Sequence, residues 1–244
     1  MDGKECRSLL LPRPIGTMSR IDRGNQRAAV GRRAGKSLKQ SMNNSEPNEI
    51  VSPDFDDFKP TPPTFETRRL RLRILQPGDE EFLAALVSDP DVMRYIHRGP
   101  LSRNAAMKWA KAQVEAAPHH WHLHKWIVEL RENQTKVGWV ELSKFRGVFD
   151  PAEDRRSDDF NLGYEFDKAY WNQGIAPEAA RPVLAYAFDE LQLDRVVAFP
   201  REDSVRSKRV LEKLGFRLRP ALRYEDEAGH ECQLYALPAD ARPS

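Results

Sequence analysis

The sequence predicts an α/β domain, on three observations. Thr67–Ile74 alternates apolar and basic residues as a strand does, and Asn161–Leu191 runs from an alternating strand through a glycine turn into an amphipathic helix. Arg195–Phe199 then reads as a buried strand, followed by a second amphipathic run that ends at Leu214-Gly215. Strand and helix thus alternate around one sheet, with no internal repeat and no second folded domain.

Residues 1–62 read as a disordered basic tail. Residues 1–45 carry ten Lys/Arg against Asp2, Glu5 and Asp22, and an acidic, proline-containing patch follows from Glu46 to Pro63. Such a composition lacks the apolar periodicity needed to bury a core. Arg32, Arg33, Lys36 and Lys39 read as solvated charge, so no nucleic-acid partner is expected. No apolar run approaches the ~20 residues of a membrane span, so no membrane partner is expected either. Cys6 and Cys232 are too few and too far apart for a disulfide framework, which points to a reducing, cytoplasmic setting. A mitochondrial presequence stays open as an alternative, although Asp2 and Glu5 count against it.

The folded domain is expected over residues 63–240. In Thr67–Ile74, Leu70, Leu72 and Ile74 share one face and arginines the other, as in a half-exposed strand. Pro77-Gly78-Asp79 marks a turn and helix entry, and Phe82, Leu83, Leu86 and Val87 follow at helical spacing up to Asp89-Pro90. Ser102 is the expected N-cap of a second helix carrying Ala106, Trp109, Ala110 and Val114. His119, His120, His122 and His124 crowd the next stretch, but without a neighbouring Cys or acidic ligand they do not compose a metal site. Trp126–Leu130 and Lys136–Leu142 form a hairpin across Glu132–Gln134, and Arg146–Asp158 reads as an exposed loop.

The central stretch carries the chemistry. Leu162, Tyr164 and Phe166 alternate, Gly174 closes the turn, and the helix is expected from Pro177, a residue whose missing N–H costs nothing in a first turn. The first N–H groups of a helix lack carbonyl partners and lie at the positive end of its dipole, so an anion suits them. Gly174 lets a bulky anion such as a pyrophosphate approach the backbone. The stretch lacks the Gly-Lys-Ser/Thr of a Walker loop and the further glycines of a dinucleotide fingerprint. Beyond the helix and the strand at Arg195, Ser204 is expected to cap the next helix, and Phe216–Leu218 with Glu231–Leu237 make the last two strands.

The run from Tyr170 to Ala179, YWNQGIAPEA, resembles the acyl-CoA loop of the GNAT N-acetyltransferase superfamily, in particular the branch of ribosomal-protein alanine and serine N-acetyltransferases. Trp171 stands in the Gln/Arg place of that pattern, and Gly174 and Ala176 in the small-residue places. Ser207–Phe216, SKRVLEKLGF, resembles a second motif of the same family, and Thr67–Arg73 its opening strand. The resemblance implies a GNAT-like single domain whose mixed central sheet, of about six to seven strands flanked by helices, splays between two parallel central strands. It implies acetyl-CoA as co-substrate and a primary amine of a small molecule or a peptide or protein N-terminus as acceptor, attacking directly in a ternary complex. The cofactor would be held by Phe166, Trp171, Asn172, Gln173, Gly174, Ile175, Ala176, Ser204 and Ser207.

Glu165 is the candidate general base, with Asp158 and Asp159 as other carboxylates; the competing reading makes Glu165 a solvated strand-face residue. The chain departs from the family at Leu211, where many members carry a Tyr acid, and at Ser204, where this branch usually has Asn. These departures keep open a non-catalytic, acyl-CoA-binding regulatory domain. Acceptor selectivity is assigned to the loops 91–104 and 144–158, and no oligomeric state is assigned.

Overall fold

The computed structural model describes residues 62–96, 99–117, 123–144, 159–225 and 229–241, with backbone alone at 123 and 221–225. The expected disordered tail (residues 1–61 of it), His119, His120, His122 and most of the loop before the central strand, Asp158 included, lie outside the described residues.

The alternating stretch near residue 70 makes two strands. Phe65–Glu66 (β1) turns back on Leu70–Ile74 (β2), because the Thr67 N–H donates to the Leu70 carbonyl and its hydroxyl oxygen accepts from the Leu70 N–H. A two-residue strand has no periodicity to read. With it, the described residues contain eight strands, where about six to seven were expected.

Glu80–Ser88 (α1) and Arg103–Ala116 (α2) follow, then Leu123–Leu130 (β3) and Lys136–Lys144 (β4) as the expected hairpin. Phe160–Phe166 (β5), Ile175–Asp189 (α3), Arg195–Ala198 (β6), Val205–Lys213 (α4), Arg217–Glu225 (β7) and Glu231–Pro238 (β8) complete the order. The sheet runs β1-β2-β3-β4-β5-β6-β8-β7, with β5 and β6 parallel and the other neighbours antiparallel. Among the described residues no helix is long and apolar enough to cross a membrane.

Helices cover both faces of the sheet. On one, Leu72, Trp126, Val140, Leu162 and Phe166 pack against Ala179, Val183 and Ala187 of α3 and Leu211 of α4. On the other, Ile127 and Trp139 pack against Leu83, Val87, Ala106 and Ala110 of α1 and α2. The Trp126 indole donates to the Pro63 carbonyl at 2.8 Å, so the chain is tied to the sheet from Pro63 onward.

Because the second face is covered, its polar side chains are buried and must pair. Arg73 grips Asp79 with both terminal nitrogens, at 2.7 and 2.8 Å, and reaches Glu129 through Nε at 2.9 Å. Lys136 adds a 2.7 Å contact, and the Gln76 N–H donates to the same carboxylate. Asp79 is the fully buried residue at which α1 begins, so this network fixes α1 to β2, β3 and β4. Burial alone would raise its pKa; hydrogen bonds from Arg73, Lys136 and the Gln76 backbone outweigh it and hold the carboxyl below its usual range.

Replacing Asp79 with Asn leaves two half-buried cations short of their charge partner, and an unfolding midpoint at pH 7 should reveal a loss of about 2 kcal/mol. The folded pKa is depressed, so the carboxylate's contribution is present above the unfolded value near 4 and is lost as pH falls through the folded one. Denaturant titrations from pH 7 down to 3 should therefore show wild type and Asp79→Asn converging at the acid end.

Candidate active site

The centre of the site is a pairing that stops. Along its whole length β5 is bonded to β4, from Lys144↔Phe160 to Gly138↔Phe166. Against β6 it pairs only at Phe160↔Val196 and Asn161↔Val197. Asp159 accepts from Arg195 Nε at 2.8 Å and from its NH2, which pins the two strands where they start. Beyond residue 161 no described strand pairs with the edge of β5 that faces β6, an edge that suits an extended, amide-bearing chain.

Two helix starts flank this opening. The loop from β5 to α3 holds itself through its own side chains: Asp167 accepts from the Ala169 N–H, the Trp171 indole donates to the Phe166 carbonyl at 2.8 Å, and the Gln173 amide donates to the Ala169 carbonyl at 2.8 Å. Asn172 (φ 61°) and Gly174 (φ 72°) both take the left-handed conformation. A Cβ on Gly174 would meet Arg69 only at 3.7 Å, so conformation rather than space asks for glycine there. Arg69 donates to the Gln173 carbonyl and to Glu178, which also accepts from Thr67, fastening the loop and α3 to the start of β2. Burial would raise the Glu178 pKa; Thr67 and Arg69 outweigh it and lower it.

The helix begins at Ile175, two residues before Pro177 where it was expected. The Ile175 and Phe166 side chains belong to the core, so these two residues can offer a ligand only backbone. Asn172, Gln173 and Gly174 are exposed, and Trp171 and Ala176 are half-buried. The loop is thus arranged with its backbone toward solvent at the start of α3.

Across the opening, the second residue of α4 is Arg206, whose guanidinium carbon lies 4.6 Å from the Trp171 ring centroid. Ser204 does not cap α4 as expected: it is buried and its side chain makes no capping bond. Ser207 is engaged by Tyr164, whose phenol oxygen lies 3.0 Å from the serine Oγ and donates to its carbonyl at 3.2 Å. Burial raises the Tyr164 pKa and the Ser207 bond only partly offsets this, so the phenol keeps its proton. Leu211, one turn further, is sealed in the core.

Glu165 points to the other face. In register it lies opposite Trp139, which packs under α1 and α2, and only 7% of it is exposed. The solvated reading is therefore overturned, because the polar face of β5 is roofed by helices. Beside it, Lys125 lies 3.6 Å from the Trp139 centroid and 3.0 Å from Glu141. Asp159 is committed to Arg195, while Asp158 lies outside the described residues.

The structure therefore brings the 171–176 loop, Ser204 and Ser207 around the opening of β5 and β6, and sets Glu165 on the reverse face of the same strand. Arg206 and the Tyr164–Ser207 tie were not legible, because stacking and a strand-to-helix bond leave no spacing signal in a sequence.

Comparison with known proteins agrees with this arrangement. The profile of a family described as "Acetyltransferase (GNAT) domain" matches residues 69–217. The uncharacterized N-acetyltransferase YnaD of Bacillus subtilis is 30% identical over 151 residues, 62% of this chain and 81% of that protein. A GNAT-family acetyltransferase from Bacillus anthracis superposes with a TM-score of 0.59 at 25% identity, over 72% of this chain and 99% of the other. The ribosomal-protein-S5-alanine acetyltransferase of Vibrio fischeri shares the fold, with a TM-score of 0.58 at 18% identity over 75% and 100% of the two chains. With the profile running from the start of β2 to the start of β7, the chain belongs to the GNAT family of acetyltransferases.

Proposed function

We propose that the protein is an acetyl-CoA-dependent N-acetyltransferase that acylates a primary amine of a small molecule or of a peptide or protein N-terminus. The observation that carries this reading is the unpaired half of β5 between the starts of α3 and α4. The residues present fit acetyl-CoA: the open strand edge matches the amides of a pantetheine arm, and the backbone of 172–176 at the head of α3 matches a diphosphate. When bound, acetyl-CoA supplies an activated acetyl thioester.

The chain's own residues do the rest by position and proton transfer. The strand edge and loop orient the thioester where β5 and β6 part, which turns a bimolecular encounter into an aligned one. Backbone N–H groups there support the carbonyl oxygen as it gains charge. The amine enters on the α1/α2 face, where Glu165 takes its proton so that the free amine attacks. With Leu211 sealed in the core, α4 offers no acid along that stripe, so proton removal from the amine carries more of the rate. Thiol release that depends on both acetyl-CoA and an amine separates this enzyme from a domain that holds acyl-CoA without turnover.

Substituting Val for Gly174 forces a β-branched residue into a left-handed conformation and displaces the loop backbone. Calorimetry should record acetyl-CoA binding weakened by at least about tenfold, or about 1.4 kcal/mol, and wild-type affinity would remove the diphosphate from this loop.

Glu165→Gln keeps shape and burial but cannot accept a proton. Acetyl-CoA affinity should be retained, kcat should fall by roughly 10²-fold, and the acidic limb of the pH–rate profile should vanish. A variant with the wild-type profile would leave positioning as the source of catalysis.

A further inference from the structure

The connection between α1 and α2 crosses the mouth of the site. On the β5 side it is held by Lys168, two residues past the strand, whose ammonium lies 3.0 Å from Asp91 and 3.2 Å from Asp89. On the β6 side it is held by Arg201, three residues past that strand, which donates to the Arg94 carbonyl at 3.5 Å and places its guanidinium carbon 5.7 Å from the Tyr95 ring centroid. The guanidinium of Arg94 stands at the same 5.7 Å from that ring. Residues 89–95 therefore form a strap from one parted strand to the other. It belongs to the α1/α2 side of the sheet, as Glu165 does, so an amine bound for Glu165 passes it.

The two ends of the strap differ in charge. At the β5 end Asp89 and Asp91 share Lys168, so among the described residues one carboxylate is in excess there. At the β6 end Arg201 closes Nε and one terminal nitrogen on Asp203, at 3.2 and 3.1 Å, so the guanidinium left over among the described residues is that of Arg94. Arg94 is exposed and makes no ion pair among the described residues. A guanidinium fork matches a carboxylate or a phosphate in two bonds, and Tyr95 gives both arginines a flat surface to lie against. A purely cationic acceptor would meet repulsion at this end.

We propose that the acceptor is an amine that also carries an anionic group, which Arg94 binds beside Tyr95 while the amine lies toward the acidic end and Glu165. This rests on the acetyl-transfer reading above and narrows it to a substrate class.

The test uses the full chain with saturating acetyl-CoA and reads thiol release for matched amines: β-alanine and β-alaninamide, 2-aminoethyl phosphate and 2-aminoethanol, the C-terminally amidated dipeptides Ala-Asp and Ala-Asn, and 1,3-diaminopropane. At least one anionic member should exceed its neutral counterpart in kcat/KM by roughly tenfold, the carboxylate and phosphate arms showing which anion is read. In Arg94→Gln that preference should shrink about fivefold or more, chiefly through KM, at an unchanged melting temperature, and Arg94→Glu should turn it toward the diamine. Equal kcat/KM for acid and amide, a wild-type preference for the diamine, or an Arg94→Gln variant that loses acid and amide alike would overturn the proposal. Absence of turnover with every anionic member, in a protein that binds acetyl-CoA, would overturn it too and leave the cofactor reading intact. Failure to bind acetyl-CoA would instead overturn the reading on which it rests.

Discussion

Everything in this structure follows from a parallel pairing that is allowed to run for two residue pairs and no further. A buried backbone N–H or C=O without a partner costs about 1–3 kcal/mol, so an interior strand is normally paired on both edges. Here β5 has β4 along its whole length and β6 only at its start. Asp159 and Arg195 fix where the pairing begins, and β8, paired with β6 along its length, holds β6 from the far side. The divergence therefore falls at the C-terminal ends of both strands, where each chain turns toward a helix. Among the described residues the result is a gap between two parallel strands that no third strand fills.

Most of the architecture was legible because one face of the sheet obeys simple alternation. Leu70, Leu72, Leu162 and Phe166 mark it, and the helices that cover it have uninterrupted apolar stripes. The reverse face misled, and for one reason: it is polar in sequence and buried in space. Arg73 reads as the outward side of a half-exposed strand, and Glu165 as a solvated carboxylate. Both are covered by α1 and α2, and Arg73 finds its partners, Asp79 and Glu129, at distances in sequence that no local pattern reports. Periodicity tells which residues share a face; it does not tell what covers that face.

The site itself was legible in outline through the glycine loop and illegible in its contacts. Gly174 announces a left-handed turn, but nothing announces that Asn172 adopts one too. Ser204 looks like a helix cap by residue type, yet its buried side chain makes no bond to the N–H groups of α4, and the Val205 N–H turns to the Asp203 carbonyl instead. The first turn of α4 also carries Arg206 and Lys208 and no acid, against the preference of a helix dipole for negative charge at its start. Local rules broken together in one place mark a functional region more often than an accident.

The two faces of β5 then divide the labour. Toward α3 and α4 lie the left-handed loop, the uncapped helix start and a phenol that holds its proton, a surface suited to anions. Toward α1 and α2 lie Glu165, the Trp139 ring with its neighbouring lysine, and a strap with unlike charges at its two ends. A single strand can serve both sides because its side chains alternate while its open edge is common to them. A ligand threaded along that edge is within reach of a partner arriving from the opposite face, with no need for either to cross the sheet. In the proposed reaction the parted strands let groups from the two sides meet, and on that reading the length of the β5–β6 pairing, more than any single side chain, sets where the acetyl group is handed over.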